Sequence, residues 1–99
     1  MRAPLHVIPF SIHIDQDILS DLKERIRKTR LPDQAPGAPW EQGTDLDYIR
    51  QLLVYWAGEF DWQTQERKLN AAAQFRAELD DVHIHFVHER ARHGHGVPL

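Results

Sequence analysis

Apolar and polar residues alternate near the end of the chain, in two short runs on either side of a polar corner. Residues 75–79 and 82–87 each follow the period of two that is typical of half-buried strands. Because the pair Asp80-Asp81 joins the two runs, the pattern predicts a β-hairpin within residues 75–90. An isolated hairpin is marginally stable. We therefore expect uncovered strand edges and apolar faces that this chain is too short to cover by itself, with residues 97–99 beginning a further strand.

The N-terminal segment shows the same alternation. In residues 6–14, Ile8, Phe10 and Ile12 lie on one side, and polar residues or proline lie on the other. Pro9 has no N–H group to donate to a neighbouring strand. The segment is therefore predicted to be an edge strand or an extended arm that lies on another surface.

Three helices are predicted between these extended segments. The first begins after Asp15 and ends before Pro32, because aspartate favours a helix start and proline cannot continue a helix. The second begins at residues 44–47, with a hydroxyl cap from the threonine at position 44, and ends at Gly58. The third covers residues 62–73 and is only weakly amphipathic.

The loop between the first two helices, residues 31–43, combines three prolines and two glycines with Trp40. A large aromatic residue in such a loop usually anchors it, either within its own domain or onto a neighbouring domain. The second helix carries aromatic residues on two sides, which suggests contacts on two sides. The sequence thus predicts a contact surface of five residues: Trp40, Tyr48, Tyr55, Trp56 and Trp62.

Composition places the chain among small globular domains. Of its 99 residues, 41% are hydrophobic and 27% are charged, and the net charge is −3 with neutral histidines. This net charge does not indicate binding to nucleic acid. No apolar run approaches the ~20 residues that span a membrane. The chain has no cysteine, which excludes disulfides and thiolate metal sites, and no signal-peptide pattern. We expect a soluble, cytoplasmic protein without nucleic-acid or membrane partners.

Histidine is the residue type in this sequence that most suggests a metal-binding or catalytic site. His83 and His85 share a strand face, and with His93 or His95 from the following loop they would begin a zinc site. No ligand spacing in the sequence is diagnostic of zinc, and neither a nucleophile elbow nor a glycine-rich phosphate loop is present. The sequence therefore predicts no catalytic, cofactor-binding or metal-binding residue in this chain, and no cofactor.

Short motifs follow one another in the order and spacing of a known family. They are Pro9-Phe10 before Asp15, Thr29-Arg30-Leu31-Pro32-Asp33, Trp40 with Gly43, Leu46-Asp47-Tyr48, Tyr55-Trp56 with Asp61-Trp62, Leu69-Asn70, Gln74-Phe75 and Ile84-His85-Phe86. Each motif is weak alone, whereas their collinear spacing over almost the whole chain is specific. On these residues the chain resembles the N-terminal region of epoxide hydrolases related to microsomal and juvenile-hormone epoxide hydrolase.

The resemblance implies a fold and a partner. The fold is α+β, with an extended N-terminal arm and three helices forming a meander over residues 1–74. Residues 75–99 then form a β-hairpin that starts the sheet of an α/β-hydrolase fold. The implied partner is a catalytic α/β-hydrolase domain, in the same or a separate chain. This segment would be a non-catalytic piece that packs on that domain and its lid and stabilises them.

The resemblance also implies the parent reaction, in which an epoxide and water give a vicinal diol. An aspartate opens the epoxide to form an ester, lid tyrosines donate the proton, and a histidine–acid pair activates water. None of those residues has a counterpart in this chain. Residues 95–98 match the family's oxyanion-loop pattern, but they follow a polar loop instead of a buried strand, so we interpret the match as chance. Asp81 stands where relatives often carry glycine, which predicts a left-handed backbone at Asp81.

Two other functions remain open. A free-standing module with the same fold would bind another protein, or form a homodimer, through the edge of the hairpin. A small enzyme that depends on histidine or on a metal is the second alternative.

Overall fold

The computed structural model describes residues 5–98, which form three α-helices and one three-stranded antiparallel sheet. In chain order the elements are β1 (His6–Phe10), α1 (Gln16–Arg27), α2 (Leu46–Ala57), α3 (Trp62–Asn70), β2 (Gln74–Leu79) and β3 (Val82–Val87). The predicted α+β class is confirmed. The chain divides into two compact units. The sheet unit joins the segment up to His13 with the segment from Trp62 onward, and the helical unit is Ile14–Asp61. The division into 1–74 and 75–99 stays a prediction.

The sheet unit contains the predicted hairpin, with β2 paired to β3 from Leu79↔Val82 to Gln74↔Val87. The expectation that both hairpin edges lie uncovered is wrong for β2, because β1 pairs antiparallel with it and the strand order is β1-β2-β3. The N-terminal segment is thus the edge strand of this sheet. Within the described part of the chain, residues 88–98 contain no strand. Residue 99, where the predicted further strand would end, lies outside the described residues.

Pro9 fits β1 because of the phase of the hydrogen-bond ladder. His88 donates its N–H to the carbonyl oxygen of Ala73 at 3.0 Å, and bonded pairs in an antiparallel ladder recur at every second residue. Phe75 therefore turns its backbone groups toward β3, and Pro9, which lies opposite it on β1, forms a non-hydrogen-bonded pair. The missing N–H of Pro9 falls on the outer side of β1. It removes no ladder bond there, and it blunts this edge.

The hairpin turn differs from the prediction by one residue. Asp80 and Asp81 connect the strands as expected, but the left-handed residue is Asp80, with φ of 50°, and not Asp81. In the two common two-residue hairpin turns the first central residue always takes positive φ, which is why Asp80 does so here. Aspartate tolerates this conformation better than most residues with a side chain.

A buried amide ties the sheet to the end of α3. Gln74 is only 6% exposed. Its Nε2 donates to the carbonyl oxygen of Leu69 at 2.6 Å and to Oδ1 of Asn70 at 3.3 Å, while its Oε1 lies 2.8 Å from Nε2 of His85. Because both donors of the amide are directed to α3, its oxygen is the acceptor for His85, which must carry its proton on Nε2. One side chain thus joins β2, β3 and α3.

Asn70 continues this network to the N-terminal segment. Its Oδ1 accepts the N–H of Ile12 and its Nδ2 donates to the carbonyl oxygen of the same residue, both at 2.8 Å. The side chain therefore bonds the backbone as a neighbouring strand would, although Ile12 lies beyond the end of β1. α3 ends at Asn70, earlier than the predicted end at residue 73, because a turn at residues 71–72 leads directly into β2.

The helical unit consists of α1 packed on α2. Ile26 and Ala57 are its buried residues, at the last turns of the two helices. Asp45, not Thr44, is the N-cap residue of α2, and its carboxylate makes no capping hydrogen bond. The amide oxygen of Gln34, from the proline-rich loop, instead accepts the N–H of Leu46 at 2.7 Å. Local sequence motifs do not predict this cap, because Gln34 lies 12 residues before Leu46 in the chain.

The helices of residues 5–98 include no candidate for a membrane-spanning segment. None of them is long and apolar enough to cross a bilayer.

Replacing Gln74 by methionine should destabilise the protein by about 1–3 kcal/mol, because the carbonyl of Leu69 and the ring of His85 lose a buried partner while the volume is nearly kept. Urea unfolding followed by circular dichroism measures this difference. Gln51→Met, on the exposed surface of α2, is the matched control and should stay within about 0.5 kcal/mol of the parent chain. Equal effects of the two substitutions would remove Gln74 from its structural role.

Candidate functional site

One face of the sheet is apolar across all three strands. The register places eight residues on this apolar sheet face: Val7, Pro9, Phe75, Ala77, Leu79, Val82, Ile84 and Phe86. Ala77, at its centre, is buried, but four large members are exposed: Val7, Leu79, Val82 and Ile84. Val82 is the most open of them, at 58%. Full burial of such a side chain is worth ~1.5–3 kcal/mol, so the face has the properties of a contact surface.

Part of this face is a shallow groove with a volume of about 590 Å³. Val7, Phe75 and Phe86 line it on the strands, and Ala73 with residues 88–90 lines its end. The rings of Phe75 and Phe86 stack across the two strands at 5.5 Å. The groove therefore combines an aromatic floor with a polar rim that carries His88 and Arg90.

The predicted list of contact residues did not include this face. Alternation in β2 and β3 was visible in the sequence, and it is the basis of the expectation that the hairpin has an uncovered apolar face, on which Val82 and Ile84 are exposed. Only the pairing of β1 with β2 extends the face to Val7, and that pairing joins segments about 70 residues apart.

Four of the five predicted contact residues lie exposed in the helical unit: Trp40, Tyr48, Tyr55 and Trp56. Trp40 and Tyr48 meet edge to face at 5.2 Å, and Tyr55 lies 6.2 Å from the ring of Phe60. Trp40 holds a left-handed backbone, with φ of 70°, while its side chain stays 56% exposed. Its loop is thus anchored to α2 of the same unit through Tyr48. Contact of these aromatic residues with a neighbouring domain stays a prediction.

Trp62, the fifth predicted residue, belongs to the sheet unit and begins α3. It is half-buried, and its indole Nε1 is buried without a hydrogen-bond partner. The structure therefore does not place Trp62 in the same exposed group as the other four aromatic residues.

The opposite face of the sheet carries a row of ionisable groups. His6, Glu78 and His83 lie directly across from one another on β1, β2 and β3. Nδ1 of His6 is 3.3 Å from Oε2 of Glu78, and Nδ1 of His83 is 3.8 Å from Oε1 of the same glutamate. The hydrogen bond from His6 is the main effect that lowers the pKa of the Glu78 carboxyl, and the charges of His6, His83 and Arg76 add to it against a smaller desolvation effect. One carboxylate thus links all three strands.

The histidines that the sequence offered as metal ligands have other arrangements. His83 and His85 do share a face, but His85 is held by Gln74 and lies edge to face with Phe10 at 5.2 Å. His93 and His95 stack on each other in the loop after β3. Across residues 5–98, no group of three or more histidine, aspartate or glutamate residues is placed to hold a metal ion.

We expect the row around Glu78 to give the sheet an acid-sensitive stability. Because the folded pKa lies below the ordinary value of 4.5, the ionised carboxylate stabilises the fold above pH 4.5, and this contribution is lost as the pH falls through the folded pKa. Glu78→Gln should therefore be less stable than the parent chain at pH 6, with a difference that shrinks below pH 4.5. Melting temperatures between pH 6 and pH 3 measure it. The control Asp33→Asn lies in the loop of the helical unit, and a similar profile for both variants would contradict the assignment.

The sequence has clear relatives. Residues 7–99 match the family described as epoxide hydrolase N terminus. A putative epoxide hydrolase of Stigmatella aurantiaca is 37% identical over 94% of this chain, and epoxide hydrolase 1 of Oryctolagus cuniculus is 31% identical over 81%. These matches cover 21% and 18% of the two relatives, so the chain spans about a fifth of the length of the curated proteins that it matches.

Solved structures contain the same fold. The crystal structure of juvenile hormone epoxide hydrolase from Bombyx mori superposes with a TM-score of 0.80 at 26% identity, over 96% of this chain and 24% of that one. The Aspergillus niger epoxide hydrolase gives a TM-score of 0.71 at 28% identity, over 80% and 21% of the two chains. Sequence motifs, family match and fold agree over nearly the whole length. The chain therefore belongs to the epoxide hydrolase N-terminus family.

Proposed function

We propose that this chain acts as the non-catalytic N-terminal part of an epoxide hydrolase. In this role it packs on a catalytic α/β-hydrolase domain, in the same or a separate chain, and stabilises that domain and its lid. The observation that carries the proposal is the apolar sheet face, which stays exposed in a chain whose residues 7–99 match the N-terminal segment of this family. A surface of this kind is expected where another part of a protein docks.

Two surfaces support this docking role. The apolar sheet face offers aliphatic side chains with an aromatic groove. The helical unit offers four exposed aromatic residues: Trp40, Tyr48, Tyr55 and Trp56. If each large side chain gains ~1.5–3 kcal/mol on burial, a few of them suffice to hold two domains together. We infer that both surfaces contact the catalytic domain or its lid and keep water away from the reacting groups.

The open edge of β3 supports a further part of the proposal. In this proposal β2 and β3 are the first strands of the catalytic sheet, and β3 pairs with a strand of the catalytic domain. β3 lies at the edge of the sheet in the described residues, so its outward backbone groups have no strand partner there. Strand addition at such an edge satisfies those groups and fixes the register between the two parts.

The chemistry of the parent enzyme is assigned to residues outside this chain. The family reaction needs a nucleophilic aspartate, proton-donating lid tyrosines and a histidine–acid pair, and the chain carries neither a nucleophile elbow nor another recognisable catalytic motif. Its contribution to the rate of epoxide hydrolysis is therefore indirect: it stabilises the site that it covers and excludes water from it. No specific observation favours an enzyme that depends on histidine or a metal.

A chimera tests the proposed role. The matching segment of the Stigmatella aurantiaca relative is replaced by this chain, and diol formation from styrene oxide is measured beside that of the unaltered relative. We expect the chimera to fold and to hydrolyse the epoxide, and the purified 99-residue chain to form no diol above background. Diol formation by the chain alone, abolished by a substitution in it, would overturn the non-catalytic role. A folded chimera whose catalytic part is no more stable than it is without this chain would overturn the docking role.

Two matched substitutions test the docking surface. Val82→Thr, on the apolar sheet face, should lower the stability of the chimera by about 1–2 kcal/mol, because a methyl group that becomes buried is replaced by a hydroxyl. In the 99-residue chain the same change should stay within about 0.5 kcal/mol, because Val82 is exposed there. Val54→Thr is the control, since Val54 lies outside both proposed contact surfaces and is 75% exposed. Thermal melts that show no difference between the two variants in the chimera would exclude the sheet face as the contact.

A further inference from the structure

The two edges of the sheet differ in how well they are protected against another strand. On β1, Pro9 places its missing N–H on the outer side, which interrupts any ladder along that edge. β3 has no such device. Its six residues, Val82–Val87, contain no proline and no lysine, arginine, aspartate or glutamate. Edge strands that lack these features pair readily with other strands.

The phase of the ladder shows which backbone groups β3 offers. His88 bonds to Ala73 across the hairpin, so the residues that bond to β2 are the alternate positions 82, 84 and 86. His83 and His85 therefore direct their N–H and C=O groups to the open side. These groups are the ones that an added strand would bond.

β3 is also chemically palindromic about Ile84. On either side of Ile84 comes a histidine, and beyond each histidine comes an apolar residue, Val82 or Phe86. An antiparallel partner with the same sequence, centred on Ile84, would set apolar residues opposite apolar residues and histidines opposite histidines. The same register brings the acidic turn at Asp80 alongside His88 of the second copy, at both ends of the contact.

We propose that a second copy of this chain pairs with the first along β3, antiparallel and about a two-fold axis at Ile84. His83 of each copy then forms a hydrogen-bonded pair with His85 of the other, which gives four backbone bonds, and Ile84 meets Ile84 of the other copy in the non-bonded pair on the axis. Opposite residues of an antiparallel pair point to the same side, so the two apolar sheet faces join into one face of a six-stranded sheet. The contact is isologous, and it closes on itself.

This inference goes beyond the proposed function and does not depend on it. A catalytic domain that adds its strand to β3 would use the same edge, so such a domain and a second copy exclude each other. The self-paired form belongs to the 99-residue chain, whereas the chimera should be free of it. Failure of the dimer thus leaves the chimera test unaffected, and failure of the chimera leaves the dimer test unaffected.

Cysteine cross-linking tests the register directly, because the chain contains no cysteine of its own. In a non-hydrogen-bonded antiparallel pair the Cα atoms lie about 4.5 Å apart, within the range that a disulfide bridges. Ile84→Cys should therefore form a covalent dimer under mild oxidation. Val7→Cys is the matched control, since Val7 lies on the same face at 41% exposure against 44% for Ile84, but on the edge that Pro9 protects. Equal dimer formation by the two variants, or none by Ile84→Cys, would overturn the proposal.

Sedimentation of the full chain at pH 8, above the range in which histidine usually gains its proton, tests the backbone bonds. His83→Pro removes a backbone donor that points to the open side and no backbone bond within the hairpin, and it also removes the contact of the imidazole with Glu78. His83→Ala loses the same contact with Glu78 but keeps that backbone donor. We expect the parent chain and His83→Ala to dimerise, and His83→Pro to dimerise at least about tenfold more weakly, with circular dichroism confirming that both variants fold. A monomeric parent chain, or equal dimerisation of two folded variants, would overturn the proposal.

Discussion

The buried amide of Gln74 is the interaction on which the sheet unit depends. Its two donors reach the end of α3 and its oxygen accepts from His85, so three elements meet at one side chain. Asn70 extends the network to the backbone of Ile12, beyond the end of β1. A sheet of three short strands has little apolar core of its own, and here a satisfied polar network sets the position of its helix.

This construction leaves one face of the sheet without a cover. On the face that carries Gln74, polar groups bond to one another and to α3, whereas the apolar sheet face is closed only around Ala77. The hydrogen bonds around Gln74 and Asn70 thus hold the sheet to α3, while large apolar side chains on the other face stay exposed, and their burial would be favourable. Membership of the epoxide hydrolase N-terminus family gives that surface its proposed partner.

The edges of the sheet add a second asymmetry. Pro9 blunts β1 at no cost in hydrogen bonds, because its position in the ladder is a non-bonded one, while β3 presents His83 and His85 with their backbone groups outward. The same open edge suits a strand of a catalytic domain and a second copy of the chain. Of the two proposed partners, a tethered catalytic domain would have the advantage of an intramolecular reaction.

Local patterns predicted most of the elements and their order. Helix starts near Asp15 and Asp61, the hairpin around Asp80 and Asp81, and the exposed aromatic residues of α2 all follow from periodicity, capping preference and turn chemistry over a few residues. The resemblance to the family came from short motifs in a fixed order. Each of these signals is local or sequential, which is why they could be read without a structure.

The sequence by itself determined the type of each element, the apolar alternation of the hairpin and the family. Only the tertiary structure decided the partner of β1, the long-range cap from Gln34 and the network around Gln74. The physical reason is the same in each case. A hydrogen bond or a strand register between residues far apart in the chain is selected by the energy of the whole fold, and no local preference of either segment encodes it.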